Sequence, residues 1–342
     1  MFQKFLEWII FLLSAAYFIY MVTLSTLWYE ARFELGIGPE MIVVITPGQS
    51  AMEVAEHFFS EGLVTDASQF SHWMVKMGID RKIQPGSYKL RKGSPWEVAK
   101  QFASQKPSLV TRTIIPGSDL LTLRKDFQDS RQESELMESL DAVYPSIPQM
   151  KALLAGPPEM RIAFLLPETY NLPADEPEYL VSQSLQLWWE KIGIVLEKKG
   201  LLDRSGELAV LASLVEKEAR WNEERPVIAG VILNRLSKGM PLQIDATVVY
   251  AWKLKGLDID RVLYKHLEIE SEYNTYRYKG LPPSAICIPS RDSWMAAISP
   301  EKHDYLYYVA NQDGHHLFSR NFTEHKKAIE KIRRNTKNAN EN

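Results

Sequence analysis

The chain has 342 residues, 45% of them hydrophobic and 24% charged, with a formal net charge of −3, enough to bury a sizeable core and more than one domain. That balance leaves no electrostatic footprint for a nucleic-acid partner, and no basic aromatic patch stands out. A single cysteine, Cys287, excludes an intrachain disulfide and a cysteine-built zinc site.

The first element is apolar. WIIFLLSAAYFIYMVTLSTLW, Trp8 to Trp28, runs 21 residues without a charge. As a helix it spans roughly 30 Å, one bilayer core. Tryptophans close both ends and Tyr29 follows, as at a membrane interface. The run is longer than a signal-peptide core, and no small-x-small cleavage site ends it. Residues 1–30 are therefore expected to form a cytoplasmic stub and a single-pass anchor in the cytoplasmic membrane. A weak charge bias (Lys4 and the amino terminus before the run, with Glu7, and Glu30, Arg32 and Glu34 after it) favours the remainder outside the cytoplasm.

The next elements read strand, turn, helix. Ile42 to Thr46 is β-branched, Pro47-Gly48 turns the chain, and Ser50 can cap a helix to about Ser60. A second helix is expected over Ala67 to Met77. The scheme then repeats, with a strand near Ser87 to Leu90, a turn at Lys92-Gly93, Ser94 as cap and a helix to about Ser104. PGQSAMEVAEHF and RKGSPWEVAKQF echo each other, and IPGSDLLTLRKDF from Ile115 is a weaker third copy. Such units resemble sugar-binding LysM modules. An equal alternative is that Gly-Ser simply starts helices after strands and the echo arises by chance.

From Asp119 to about Gly156 the pattern is helical and charged. RIAFLLPETYNLPADEPEY is irregular and proline-rich, and helices follow at about Glu178 to Lys198, Glu207 to Trp221 and Arg225 to Lys238. Beyond these, MPLQIDATVVYAWKL, EYNTYRYKGLPPSAICIPS and HDYLYYVANQDGHHLFS read as short segments with many turns. Tyr305 to Ala310 is a strand by residue type, and a basic helix starts at Thr323.

Within LASLVEKEAR, Leu208, Leu211, Leu214 and Val215 form one apolar stripe, and Glu218 falls on it. Lys217 and Arg220 point to the polar side, and Glu216 lies at the edge. A carboxyl among leucines costs free energy unless it is paired, protonated or useful. Other polar residues in unusual company are Asn234 and Arg235 in VILNRL, then Gln243, Asp245 and Thr247 in PLQIDATVVY. Tyr273, Asn274, Thr275 and Tyr276 follow as a block. Amides, hydroxyls, tyrosines and carboxylates are what a carbohydrate groove uses, to meet sugar hydroxyls and CH faces. Taken singly, each is also what a turn or a satisfied buried polar group uses. No Walker loop, GxGxxG, HExxH or GxSxG is present, and His315, His316 and His325 are the only local histidine group. No cofactor or metal is expected.

LASLVEKEA, VILNRL, MPLQIDATVVY, EYNTYRYKGLPPSAICIP and YLYYVANQDGHHLF, in this order and with FLLPETY upstream, resemble the MltG (YceG-like) family of endolytic murein transglycosylases. The resemblance runs from about Ile42 to Ile329. It departs at Pro116 to Ser118, Glu168, Ala246, His315 and Lys326, none of which touches Glu218. It implies an α+β architecture with an N-terminal transmembrane helix, a small LysM-like strand–helix subdomain (41–110), a connecting helical region (111–160), a mixed α+β catalytic domain (161–330) and a polar tail (331–342). The activity implied is a lyase's. It cleaves the β-1,4 bond between N-acetylmuramic acid and N-acetylglucosamine inside peptidoglycan strands and leaves 1,6-anhydro-muramyl ends. The second Glu of EKE matches the family's catalytic acid, which is Glu218 here. Glu216, Gln243, Asp245, Tyr273, Asn274 and Thr275 match motif positions that line the groove or orient that acid. A place beside wall-building proteins is a family-level expectation with no residue to point to. Two other readings stay open: an anchored glycan-binding scaffold, and a hydrolysing muramidase with Asp245 as second carboxylate.

Overall fold

The computed structural model describes residues 2–32, 38–127, 130–142 and 157–340. The expected helical stretch up to Gly156 lies partly outside them. The chain divides into two compact units, Met1–Val110 with Asn171–Asp175, and Thr111–Tyr170 with Glu176–Asn342. Both mix helices with two-stranded sheets.

In the first unit, helix α1 spans Phe2–Arg32. Large apolar side chains along it, among them Trp8, Phe11, Leu13, Phe18 and Ile19, are exposed. Among the described residues no helix is long and apolar enough to cross a membrane. Strand β1 (Glu40–Ile45) pairs antiparallel with β2 (Gly86–Arg91), from Glu40 opposite Arg91 to Ile45 opposite Gly86. Helices α2 (Ala51–Ser60) and α3 (Ala67–Lys76) come between the strands, and α4 (Pro95–Ser104) follows. The period of two is visible in β1, where Val43 and Ile45 are buried and Ile42 is exposed. They join Val54, Phe58, Phe70, Leu90 and Phe102 in one core.

The sequence echo has a local cause. Ser50 Oγ accepts from the Glu53 N–H while Glu53 accepts from the Ser50 N–H, and Ser94 and Glu97 repeat both bonds. Each copy is a capping box, which satisfies two helix-start donors reciprocally. The third copy is different: α5 (Leu120–Asp126) is capped by Asp119, whose carboxylate takes the Thr122 N–H at 2.8 Å and Lys253 Nζ at 2.5 Å.

Strand β3 (Val110–Thr113) pairs with β4 (Thr169–Leu172), of which residues 111–113 and 169–170 belong to the second unit. Helices α6 (Ser130–Ala142) and α7 (Pro177–Trp188) follow. A π turn, Trp189–Gly193, joins α7 to α8 (Ile194–Lys198), so the expected single helix to Lys198 carries a bulge. Helix α9 (Ser205–Glu218) is the centre of the unit. Every residue from Leu208 to Val215 is buried, so the helix is covered all round instead of along one stripe. It packs against α10 (Arg225–Ser237) and α12 (Arg291–Ile298). Trp188, Trp294 and Phe164 are fully buried beside one another, with ring centroids 4.9–5.7 Å apart.

Ser213, in mid-helix, returns its hydroxyl to the Val210 carbonyl and takes the Ile286 N–H at 3.2 Å. The Cys287 thiol points at the Ser213 carbonyl, 3.4 Å away. Cys287 is fully buried, and burial pushes its thiol far above the ordinary range.

Two expectations change here. The helix read to Trp221 ends at Glu218, because Ala219 turns extended (φ −86°, ψ 118°). The PLQIDATVVY segment, read as short and turn-rich, contains helix α11 (Asp245–Leu254). Thr-Val-Val favours a strand locally. Tertiary packing overrides it, with Val248 and Ala251 buried against Ile269, and Asp245 suits a helix start. Hairpin β5 (Tyr307–Ala310) and β6 (His316–Ser319) then receives α13 (Phe322–Asn340).

Replacing Ser94 with alanine removes the oxygen that accepts the Glu97 N–H. The expected cost is about 1 kcal/mol, read as a lower urea midpoint by circular dichroism. Ser94→Gly should cost only a few tenths, roughly.

Candidate active site

Helix α9 delivers Glu218 as its last residue, where the buried helix breaks out of the core. Tyr308 on β5 donates its hydroxyl to Glu218 Oε2 at 2.8 Å. Burial of the carboxyl is the main influence and raises its pKa; the charge of Asp245 acts the same way. The Tyr308 hydrogen bond, His316 and Arg235 oppose the shift without cancelling it. Tyr308 in turn stays protonated far above its usual range, through burial and the neighbouring Glu218. The acid therefore remains protonated at a pH where an exposed glutamate is ionised, and it keeps one fixed donor for its anionic form.

Glu218 opens on a cavity of about 480 Å³, which Arg235, Gln243, Asp245 and Tyr276 also line. Each arrives by a different route. Arg235, near the end of α10, donates Nε–H to the Leu306 carbonyl and Nη1–H to the Leu242 carbonyl, both at 2.6 Å, and its guanidinium lies 5.2 Å from the Tyr307 ring centroid. It pins the loop before α11 and the start of the hairpin to one helix. Gln243 has φ 52°, the only positive φ at a non-glycine residue among those described. Its N–H bonds the Thr275 carbonyl at 3.1 Å, which holds the strained turn. Asp245 starts α11 and accepts the Tyr276 hydroxyl, which burial and that carboxylate keep protonated.

The other expected site residues lie outside this lining and support it. Asn234 donates to the carbonyls of His303 (2.7 Å) and Tyr305 (3.0 Å), fixing the approach to β5. Thr247 and Thr275 are buried and share a hydroxyl bond of 2.9 Å, and Thr275 Oγ1 takes the Ile244 N–H at 3.0 Å. Asn274, fully buried, bonds the carbonyls of Leu267 and Ile269 and accepts the Tyr276 N–H. The Tyr273 hydroxyl meets Ser284 at 2.6 Å. This block is a bracket that presents Gln243 and Tyr276.

Glu216 is turned away from the cavity. It pairs with Arg225 at 3.0 Å, both nearly buried, and accepts the N–H and hydroxyl of Ser290 and the hydroxyl of Ser293. Two neighbouring carboxyls of one helix thus differ completely: Glu216 is saturated with donors, and Glu218 has a single one.

Three lining residues were not singled out in advance, Tyr307, Tyr308 and Phe322, and His325 stood out only as part of a local histidine group. The tyrosine-rich strand was visible, but not that α13 folds back on it. That return stacks His325 on Tyr307, ring centroids 5.2 Å apart, and brings Phe322 within 5.9 Å of it. His325 is held below its ordinary pKa by burial and by Arg235. Among the described residues no group of three or more His, Cys, Asp or Glu could hold a metal ion.

The sequence profile described as the YceG-like family matches residues 43–331. Over 305 residues the chain is 29% identical to a protein of Bacillus subtilis (strain 168) named endolytic murein transglycosylase, covering 84% of this chain and 83% of that protein. A Streptococcus pneumoniae (strain ATCC BAA-255 / R6) protein of the same name is 28% identical over 95% of this chain, which spans 64% of the pneumococcal length. A crystal structure of a yceG-like protein from Listeria monocytogenes superposes with a TM-score of 0.55 at 27% identity, over 85% of this chain and 99% of that one.

Arg225→Met should strand the Glu216 carboxylate in a buried site and cost roughly 3–5 kcal/mol, measured by chemical denaturation. Glu218 acts in the opposite sense. Its raised folded-state pKa means that the folded chain binds more protons than the unfolded one, so wild-type stability falls as pH rises from the ordinary glutamate pKa through the folded one. Glu218→Gln should escape that loss and melt no lower than wild type at neutral pH. A melting temperature well below wild type at pH 7 would contradict the burial argument.

Proposed function

The chain belongs to the YceG-like family, and on that premise we propose that it is a lytic transglycosylase of peptidoglycan, a lyase that cuts the N-acetylmuramic acid–N-acetylglucosamine bond within glycan strands and leaves 1,6-anhydro-muramyl ends. The observation that carries the reading is one carboxyl, Glu218, whose pKa burial raises, facing a polar, aromatic cavity large enough for part of a glycan. The names of the B. subtilis and S. pneumoniae relatives support it.

The chemistry needs one group to do two jobs. Glu218 gives its proton to the glycosidic oxygen, and the bond from that oxygen to the muramyl C1 breaks. The sugar left behind carries positive charge at C1, faced by the Glu218 carboxylate. That carboxylate then takes the proton of the muramyl C6 hydroxyl as the hydroxyl oxygen closes on C1. The acid is restored and no water is consumed. A pKa raised by burial serves the first step, and the Tyr308 hydroxyl serves the second by stabilising the anion between the two transfers. Arg235, Gln243, Asp245 and Tyr276 are read as the groups that hold the sugars.

The first unit is read as a LysM-like glycan-binding module, on its β1–α2–α3–β2 order and its paired capping boxes. The N-terminal run is read as a membrane anchor with the catalytic unit outside the cytoplasm. Its support is the uncharged sequence from Trp8 to Trp28 and the exposed apolar side chains of α1. A location beside other wall-building proteins would follow from that placement. A second reading, a hydrolysing muramidase, draws on one observation: Asp245 lines the same cavity and would be the carboxylate that activates water.

The test is mass spectrometry of peptidoglycan digested by the full chain in detergent. Anhydro-muramyl ends are expected from wild type and none from Glu218→Gln, at unchanged circular dichroism. Reducing ends would turn the assignment to hydrolysis. kcat/KM should fall on the alkaline side through an apparent pKa above the usual ~4.3 of glutamate. A limb at that ordinary value would remove Glu218 from the acid role.

A further inference from the structure

A second buried carboxyl lies behind the cavity wall, and the chemistry above leaves it unused. Glu224 closes the short turn Asn222–Glu224 that precedes α10, and His316 opens β6. The His316 N–H donates to Glu224 Oε1 at 2.7 Å, and the His316 ring Nδ1 lies 2.7 Å from Oε2. The two side chains are only 9% and 8% exposed. His315 adds its own Nδ1 at 3.5 Å, with its ring flat on Trp221 at 4.6 Å.

These donors decide the charge of Glu224. Burial works to raise its pKa, but the His316 N–H, the His316 ring and His315 outweigh it and hold the carboxyl below its ordinary range. An ionised acceptor orients the ring in turn, with an Nδ1 proton of His316 toward Glu224. The ring then has one orientation. It stands edge-on to Tyr308, centroids 5.2 Å apart at 85°, and Tyr308 is the donor to Glu218.

We propose that Glu224 and His316 form a positioning pair for Glu218: together they set the orientation of Tyr308 and the charge facing the acid. The proposal rests on Glu218 being the acid. The groups facing Glu218 are Tyr308 from β5, His316 from β6, Arg235 from α10 and Asp245 from α11. Of these, His316 alone is tied to a further carboxylate. A hairpin clamp needs no ionic pair, since apolar residues of similar volume hold a buried contact as well or better. The pair makes sense where the charge itself is used.

The experiment measures kcat and KM on purified glycan strands against pH, with the full chain, for wild type, His316→Asn, Glu224→Gln and Tyr308→Phe. His316→Asn keeps a side-chain N–H for Glu224 and loses the ring. It should melt close to wild type, lose roughly tenfold or more in kcat and keep KM within about twofold. Its alkaline limb should move to higher pH, because a group that favours the Glu218 anion is gone. Glu224→Gln and Tyr308→Phe should move the limb the same way. An unmoved limb in all three variants, with activity lost only in step with melting temperature, would reduce the pair to a hairpin clamp and overturn the proposal. The control is Glu218→Gln: if it cleaves like wild type, the acid assignment itself fails and the pair loses its object, whatever the other variants do.

Discussion

Much of the second unit follows from carrying one carboxyl out of water at the end of a helix whose middle turns have no wet face. From Leu208 to Val215 every residue of α9 is buried, so the helix cannot rotate or slide without opening the core. Its last residue is therefore held as firmly as a core side chain, although it borders a cavity. Desolvation raises the proton affinity of that residue, and fixed surroundings keep the effect from relaxing away. The supporting contacts read as consequences. Arg235 ties two segments to α10 through carbonyls, and the 273–276 block holds Gln243 in a strained turn. Tyr308 is aimed by a hairpin pinned at both ends.

Much of this was legible from residue types. The apolar spacing around Glu218 marked the one carboxyl that burial would perturb, and the Ser-x-x-Glu echoes marked two helix starts to within a residue. The β-branched run from Ile42 marked strand β1, but not which of its side chains are buried. What local pattern could not supply was partner identity. Helical spacing set Glu218 on the apolar stripe and Glu216 at its edge, but only the folded arrival of Arg225, Ser290 and Ser293 shows that Glu216 is saturated with donors. Asn234, Thr247, Asn274 and Thr275 were noticed because they are polar in apolar company. Their partners turned out to be backbone carbonyls and one another, which is the commoner fate of buried polar groups. The cavity's aromatic wall stayed hidden for a different reason. Phe322 and His325 reach it only because α13 returns to the hairpin, a long-range event that no window of sequence encodes.

The two units also show different ways of meeting the same requirement. The first unit satisfies its helix starts locally, with side chains three residues apart, although its sheet joins strands from the two ends of the unit. The second uses contacts across many tens of residues, such as Arg235 to Leu306 or Glu216 to Ser290. Distant closure suits a site whose parts must be brought from separate places and kept there.

Cys287 adds a practical property to this arrangement. It is the chain's one thiol, sealed beneath α9 with its sulfur against the Ser213 carbonyl. A thiol so placed reacts with a labelling reagent only when the segment lifts off the helix. Its labelling rate, compared with that of a free thiol, is therefore a clock for the opening free energy at the base of the site. The molecule carries its own strain gauge, and no engineered probe is needed to ask whether glycan tightens the helix that ends in Glu218.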